Sequence, residues 1–207
     1  MTRVAQDTAT PAVSASERLR ARRWVGIALG ATIAGFVLGL GYVAMQGMFG
    51  WMSDLGAVAF AIALFPVAYH LHREFRIELP EASRVVWGIA IVGLSLLAIS
   101  GGTLAYHDAT RTPPTLPVLD FQHLGIFLQG AWMIGIGVVG ARIGTFRKRT
   151  SRAALISGVG YAGGAPVSLF MGFETPLFYL AFLVALTGVV VWSLSLRKDL
   201  HVLAHDV

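Results

Sequence analysis

The chain has 207 residues, of which 56% are hydrophobic and 13% are charged. An average soluble domain is about 25% charged, and a soluble protein of this length could not hide so much apolar surface from water. With a mean hydropathy of +0.69, the composition excludes an ordinary soluble enzyme, a disordered chain and a collagen-like fibre. It predicts a polytopic membrane protein.

Six apolar segments follow a polar N-terminal stretch, and each has the roughly 20 residues that a helix needs to cross a bilayer. They lie at 24–45, 54–72, 85–106, 121–142, 153–172 and 175–196. These runs are too long and continuous for barrel strands, and helices are the other structure that satisfies its backbone groups in lipid. The sequence therefore predicts an all-α fold, a polytopic membrane bundle of six transmembrane helices.

The basic residues fall almost entirely on one side of the six predicted spans. The N-terminal stretch, the loops after spans two and four, and the C-terminal stretch hold 15 of the 16 lysines and arginines, and Arg111 alone lies opposite. Cytoplasmic segments of membrane proteins are enriched in these residues. We therefore expect a multi-pass plasma-membrane protein with both termini cytoplasmic: a disordered N-tail over 1–23, a transmembrane domain over 24–196 and a C-tail over 197–207.

The same charge pattern bears on the partners. A net charge of +5 and a pI of about 10.1 are typical of nucleic-acid-binding proteins, but short basic clusters between apolar runs set membrane orientation instead. We expect the lipid bilayer, and no nucleic acid, as the partner; the sequence names no protein partner. Arginine outnumbers lysine by 14 to 2, and this bias, with abundant alanine, glycine and valine, indicates a GC-rich prokaryotic genome.

Glycines recur four residues apart near or inside the apolar segments, a spacing that lets helix backbones approach closely in lipid. The pairs are Gly26/Gly30, Gly35/Gly39, Gly140/Gly144 and Gly160/Gly164. Packing within one bundle and a homo-oligomer interface both explain this spacing. Two G-x-G-x-x-G matches begin at Gly135 and Gly158. They lie inside apolar spans and lack the preceding strand that a nucleotide-binding loop needs.

Polar side chains gather at the ends of spans two, three and four that lie away from the basic loops. Ser53 and Asp54 open span two, His107 and Asp108 close span three, and His123 begins span four. We expect a compact bundle to bring these residues together. Each also has a structural explanation, because serine and aspartate are common helix caps and the histidines lie where helix ends meet lipid headgroups.

Three chemistries compete if these residues form a pocket. A divalent metal held by His107, His123, Asp54 and Asp108 could activate water for hydrolysis. Alternatively, Ser53 is a nucleophile, His123 its base, and one of the two aspartates orients the histidine. The two histidines could instead ligate haem.

The remaining ionisable residues point away from ion transport. Intramembrane ionisable groups usually mark proton relays and ion-coupled carriers, and none lies near the middle of a predicted span. Histidines outside the polar set lie beside the basic loops and are interpreted as solvated residues of the membrane interface: His70, His72, His201 and His205.

Met52-Ser-Asp-Leu-Gly-Ala57, Tyr106-His-Asp108 and Gln122-His-Leu-Gly125 occur in this order at the ends of the spans. Together they resemble an uncharacterised family of six-helix bacterial and archaeal integral membrane proteins, a domain of unknown function, over residues 24–196. Asp54 stands where that family has glutamate. The resemblance implies the six-helix fold and a polar signature at Ser53, Asp54, Asp108 and His123, and it implies no activity.

The polar set is also faintly similar to the alkaline ceramidase and adiponectin-receptor superfamily of membrane hydrolases. Those proteins have seven helices and further histidines late in the chain, which span six lacks. Of the functions that remain, we favour a non-catalytic membrane protein that binds or organises lipid or a membrane partner. The alternative is a membrane-embedded hydrolase of a lipid-like substrate that uses Ser53, Asp54, Asp108 and His123, and the third is a small-molecule carrier.

Overall fold

The structure, a computed structural model, describes residues 13–44, 50–114, 116–172 and 175–205. The described residues form six helices: α1 (Ala15–Ala44), α2 (Gly50–Arg76), α3 (Pro80–Thr110), α4 (Leu116–Ile143), α5 (Lys148–Met171) and α6 (Pro176–His205). Each contains a stretch that is long and apolar enough to cross a membrane. The prediction of an all-helical protein with six helices able to span a membrane is confirmed.

The helices extend beyond the apolar runs that predicted them. Helix α1 begins at Ala15 because Ser14 and Glu17 form a capping box: the Ser14 amide donates to the Glu17 carboxylate at 2.9 Å, and the Glu17 amide donates to the Ser14 hydroxyl at 3.3 Å. Residues 15–23 are therefore helical, whereas the sequence predicted disorder there; residues 1–12 lie outside the described residues. Likewise, most of the predicted C-terminal tail continues α6.

The six helices close into a ring. Each helix packs against its neighbours in sequence, α6 returns to α1, and α2 touches α4 across the interior. Because the chain reverses at each connection, alternate helix ends share one end of the bundle. We call the end that carries Arg18, Glu74, Arg147 and Arg197 the basic end. The opposite end carries the predicted site.

Two tryptophans lie in the buried core of the bundle. Trp132 of α4 and Trp192 of α6 meet edge to face, with ring centroids 6.1 Å apart. Leu64, Leu94 and Leu196 are completely buried around them. Aromatic pairs in this geometry add to the stabilisation from area burial, so the two long side chains link α4 and α6 across the interior.

Large apolar side chains cover the outside of every helix. Representatives on the six helices in order are Ile27, Ile62, Ile99, Phe127, Val159 and Leu183, each 46–63% exposed. A soluble monomer rarely exposes contiguous apolar surface on this scale. The outer surface therefore fits a lipid environment.

Adjacent helices cross closely at glycines. A Cβ atom on Gly56 would lie 2.7 Å from the Cα of Gly35, where α1 crosses α2, and a Cβ atom on Gly160 would lie 2.5 Å from the amide nitrogen of Ala185 on α6. The predicted small-residue spacing is thus used within the bundle at Gly35 and Gly160. A Cβ atom on Gly30 would meet no heavy atom within 4 Å, so that glycine takes no part in a tight crossing.

Candidate functional site

Ser53 lies in the first turns of α2, where this helix crosses α1. Its hydroxyl donates a hydrogen bond to the backbone carbonyl oxygen of Gly35 at 3.3 Å, beside the close approach of Gly35 and Gly56. This bond ties the two helices together. The geometry gives Ser53 a helix-packing role and does not support the nucleophile hypothesis.

His123 is held by its own helix. Its Nδ1 lies 2.6 Å from the carbonyl oxygen of Leu119, and because a carbonyl only accepts hydrogen bonds, Nδ1 carries the proton. In a serine–histidine–aspartate triad, an aspartate accepts this Nδ1 proton. Here a backbone carbonyl in the preceding turn occupies that position, so His123 is oriented as a structural residue of α4.

Asp54 and Asp108 are the two predicted residues that the structure brings near each other. Asp54 is partly buried and Asp108 is exposed, and they lie at the ends of α2 and α3 that share one end of the bundle. Gly101 of α3 packs against this part of α2: a Cβ atom there would lie 3.1 Å from the Val58 Cγ2 and 3.4 Å from the backbone oxygen of Asp54. The pair marks the α2–α3 contact at the opposite end.

His107 and Asp108 belong to the C-terminal cap of α3. Arg111 adopts a left-handed backbone with φ of 56°, and the amide of Thr112 donates to the His107 carbonyl at 3.0 Å, as in a helix-terminating turn. The Nδ1 of His107 lies 2.8 Å from the Thr112 hydroxyl. Capping therefore accounts for the position of His107.

The predicted metal ligands do not assemble. Within the described parts of the chain, which include His107, His123, Asp54 and Asp108, no three histidine or acidic side chains are grouped so that they could hold a metal ion. The reason is local: the loop after α3 holds one histidine, and the backbone of α4 holds the other. Neither the divalent-metal hypothesis nor the haem alternative gains support from this geometry.

A buried ionic network lies at the basic end, where the sequence predicted only that basic residues set the orientation in the membrane. The Arg18 Nε donates to Glu74 Oε1 at 2.8 Å, and its Nη1 donates to the carbonyl oxygen of Leu203 at 2.6 Å. The Glu74 side chain is 4% exposed. One arginine of α1 therefore joins α2 and α6, and it does so where the ring closes.

Two histidines of α2 are part of this packing, and their interpretation as solvated residues was wrong. His70 is 5% exposed, and its Nε2 lies 3.6 Å from Glu74 Oε1. His72 is partly buried and stacks on Trp87 of α3 at 5.7 Å, with its Nδ1 2.8 Å from the Ser83 hydroxyl. His70 packs inside the bundle beside Glu74, and His72 packs against α3. Hydropathy alone does not show which side of a helix faces the interior. His201 and His205 are exposed as expected.

Asp199 of α6 caps the beginning of α5. Its Oδ2 accepts hydrogen bonds from the Arg147 amide at 3.1 Å and the Thr150 hydroxyl at 2.6 Å, and Oδ1 lies 3.3 Å from the Arg147 Nε. A carboxylate satisfies the free amides of a helix N-terminus and matches its dipole. The side chain is 4% exposed, so the predicted cytoplasmic tail contains a buried structural residue.

A small cavity lies beside this cap, between α2, α4, α5 and α6. Its volume is about 10 Å³, and its lining includes Phe75, Trp192 and Ser151. This is about the space that one water molecule needs. The buried hydroxyl of Ser151 makes no hydrogen bond within the described chain, so the cavity has a polar group for a water and no room for a substrate.

Two arginines on the seam between α1 and α6 differ from the others at the basic end. The Arg22 Nη1 lies 3.5 Å from the His201 Nδ1. The Arg197 guanidinium covers Gly26, where a Cβ atom would lie 3.5 Å from its Cζ. The Nε atoms of both arginines are buried and make no hydrogen bond among the described residues. From the sequence, both arginines were expected only to set the orientation in the membrane.

Comparisons with protein-family models, with curated proteins and with solved structures find no match to this chain. The resemblance to a six-helix family of unknown function therefore stays an interpretation of three short motifs. The function has to be argued from the geometry of the chain itself.

Proposed function

We propose that this protein is a non-catalytic, multi-pass protein of the plasma membrane that binds lipid, with both termini in the cytoplasm. The main support for this proposal is that polar side chains are hydrogen-bonded differently at the two ends of the bundle. At the opposite end, Ser53 and His123 hydrogen-bond to backbone carbonyls. At the basic end, Arg22 and Arg197 retain buried donors without partners in the described chain, and anionic lipid headgroups of the cytoplasmic leaflet attract such groups.

The hydrolase and carrier alternatives have less support. A hydrolase would need Ser53, His123 and an aspartate to act on one another, and the hydrogen bonds of Ser53 and His123 favour helix packing instead. A carrier would need a binding cavity of several hundred Å³, whereas the cavity beside Ser151 is about 10 Å³. The apolar outer surface of all six helices supports a protein whose main ligand is lipid.

The orientation can be tested directly because the chain contains no cysteine. Single cysteines at three exposed positions, Ser16→Cys, Arg149→Cys and Thr112→Cys, report on both ends of the bundle. We expect a membrane-impermeant maleimide to label only Thr112→Cys in intact cells, and all three after the cells are lysed. Labelling of the first two in intact cells would show the reverse orientation.

Lipid retention without hydrolysis tests the proposed function. We expect native mass spectrometry of the purified protein to show bound phospholipid, at levels within about twofold in wild type, Ser53→Ala and His123→Ala. Ser53→Ala should lower the free energy of unfolding by about 1 kcal/mol, because it removes one hydrogen bond between α1 and α2.

The matching activity assay incubates the same three proteins with phosphatidylglycerol and phosphatidylcholine liposomes. We expect no release of fatty acid or headgroup above the protein-free control. A general base contributes about 100-fold or more to such a reaction. Hydrolysis by the wild type that falls by this factor in His123→Ala would contradict the proposal and establish the hydrolase.

A further inference from the structure

The Nε–H groups of Arg22 and Arg197 are donors of charged side chains at the basic end. Both are buried, and both lack a hydrogen-bond partner in the described part of the chain. A buried donor that is left without a partner costs about 1–3 kcal/mol, and more when it is charged. Native proteins seldom retain such a cost, so the two guanidinium groups call for an acceptor from outside the described chain.

Three carboxylates at the basic end form ion pairs with other arginines. Glu74 pairs with Arg18, Glu17 with Arg73, and Asp199 with Arg147. None of the ion pairs formed by the described residues includes Arg22 or Arg197. The positive charge of these two side chains is therefore uncompensated by the folded chain that the structure describes.

The two arginines lie along one seam. Arg22 of α1 contacts His201 of α6, and Arg197 of α6 contacts Gly26 of α1. Gly26 lies four residues, or about one helical turn, after Arg22. Gly26 has no side chain, so the Arg197 guanidinium can lie against the α1 backbone and stay on the seam. One turn of a helix rises about 5.4 Å, a spacing over which two guanidinium groups can share the oxygens of one tetrahedral anion.

The surroundings indicate which anion this is. Guanidinium groups match phosphate oxygens in shape and charge. Trp24, partly buried, lies between Arg22 and Gly26 on α1, and tryptophan is enriched where a bilayer meets water. Trp24 therefore favours a position of this seam at the level of the lipid phosphates.

We propose that Arg22, Arg197 and His201 form a phosphate-binding site on the α1–α6 seam, filled by a phospholipid headgroup or by free phosphate. The proposal rests on the proposed membrane setting and lipid binding, and it names the ligand group and the residues that recognise it. The guanidinium groups donate to phosphate oxygens, and the exposed His201 lies at the outer rim.

The test uses the full-length protein in detergent micelles, titrated with dioleoyl phosphatidylglycerol or dioleoyl phosphatidylcholine and followed by native mass spectrometry. We expect the first lipid to bind more tightly, and Arg22→Gln and Arg197→Gln each to weaken its binding about tenfold, the equivalent of about 1.4 kcal/mol. The control is Arg149→Gln/Arg152→Gln, which removes two exposed charges from the same end, on α5. It should change the affinity less than about twofold.

Lysine variants guard against a folding defect. Arg22→Lys/Arg197→Lys keeps both charges and removes the planar donor groups, so we expect phosphatidylglycerol binding to fall by about tenfold while thermal stability without lipid changes little. Wild-type affinity in this variant, or an equal loss in the α5 control, would show that diffuse surface charge binds the lipid and would overturn the site.

A second arm separates the two sources of phosphate. The melting temperature is measured in inorganic phosphate and in chloride at matched ionic strength. Stabilisation by phosphate that requires both arginines, with no preference between the lipids, identifies free phosphate as the ligand; a preference for phosphatidylglycerol that requires them identifies the headgroup. Equal lipid binding by wild type and both glutamine variants would contradict the site but not the proposed lipid binding. If none of these proteins bound lipid, the proposed function itself would be contradicted.

Discussion

Replacing Glu74 with glutamine is expected to lower the free energy of unfolding by about 3–5 kcal/mol, the usual cost of removing one partner of a buried ion pair. The substitution keeps the size of the side chain and removes its charge. Arg18 would then lie between α1, α2 and α6 without its counter-ion, and its acceptors in this network would be two neutral oxygens, the glutamine amide oxygen and the Leu203 carbonyl. For a protein of this size, we expect the melting temperature to fall by about 10 °C.

An exposed ion pair in the same protein provides the control. Glu81 and Arg84 pair at 2.6 Å on α3, and their side chains are 81% and 66% exposed. Surface pairs contribute about 0–1 kcal/mol, so Glu81→Gln should leave the melting temperature nearly unchanged. Equal effects of Glu74→Gln and Glu81→Gln in thermal or detergent-driven unfolding, followed by circular dichroism, would show that Glu74 is not a buried link.

The double replacement Arg18→Met/Glu74→Leu removes both charges, whereas Glu74→Gln leaves the Arg18 charge buried without its partner. Apolar side chains of similar volume often replace a buried ion pair at little cost. We expect the double variant to recover most of the stability that Glu74→Gln loses. The hydrogen bond from Arg18 to the Leu203 carbonyl is lost as well, so recovery should stop about 1 kcal/mol short of wild type.

Gly158→Ala is expected to destabilise the bundle by about 2–3 kcal/mol, the cost of forcing extra volume into a packed core. Gly158 lies where α5 crosses α4. Its added Cβ atom would lie 2.6 Å from the Ile134 Cγ1, 2.7 Å from the Gly130 oxygen and 2.7 Å from the Ile134 amide nitrogen. Two of these three atoms belong to the backbone, so the two helices must move apart.

Gly163→Ala provides a matched control on the same helix. A Cβ atom at Gly163 meets no heavy atom within 4 Å, and alanine has a higher helix propensity than glycine. We expect this variant to be as stable as wild type or slightly more stable in the same unfolding assay. A loss of stability equal to that of Gly158→Ala would show that helix crossing is not the cause.

The number and position of the helices could be predicted from the sequence, because they depend on the hydropathy summed over short stretches of the chain. Hydropathy over about 20 residues predicts the six helices, and the structure confirms them. Helix ends were less predictable, because charged residues continue a helix beyond its apolar part. Residues 15–23 illustrate this: Glu17 was a plain charge in the sequence, and in the structure it completes the cap with Ser14.

The candidate site could not be predicted in the same way. From the sequence we expected Ser53, Asp54, His107, Asp108 and His123 to gather, because the ends of adjacent helices meet. It did not predict that Ser53 donates to Gly35 or that His123 donates to Leu119. A hydrogen bond to a backbone carbonyl depends on how a helix face is turned, and residue type does not carry that information.

Hydropathy and charge along the chain predict six apolar helices, with most basic residues at one end of the bundle and a small polar set at the other. Which side chains interact depends on how the helices pack. Ring closure brings α6 against α1, and this contact buries Glu74 beside Arg18 and leaves Arg22 and Arg197 on a common seam. Composition and hydropathy add up along the chain, whereas pairing depends on which helix faces meet.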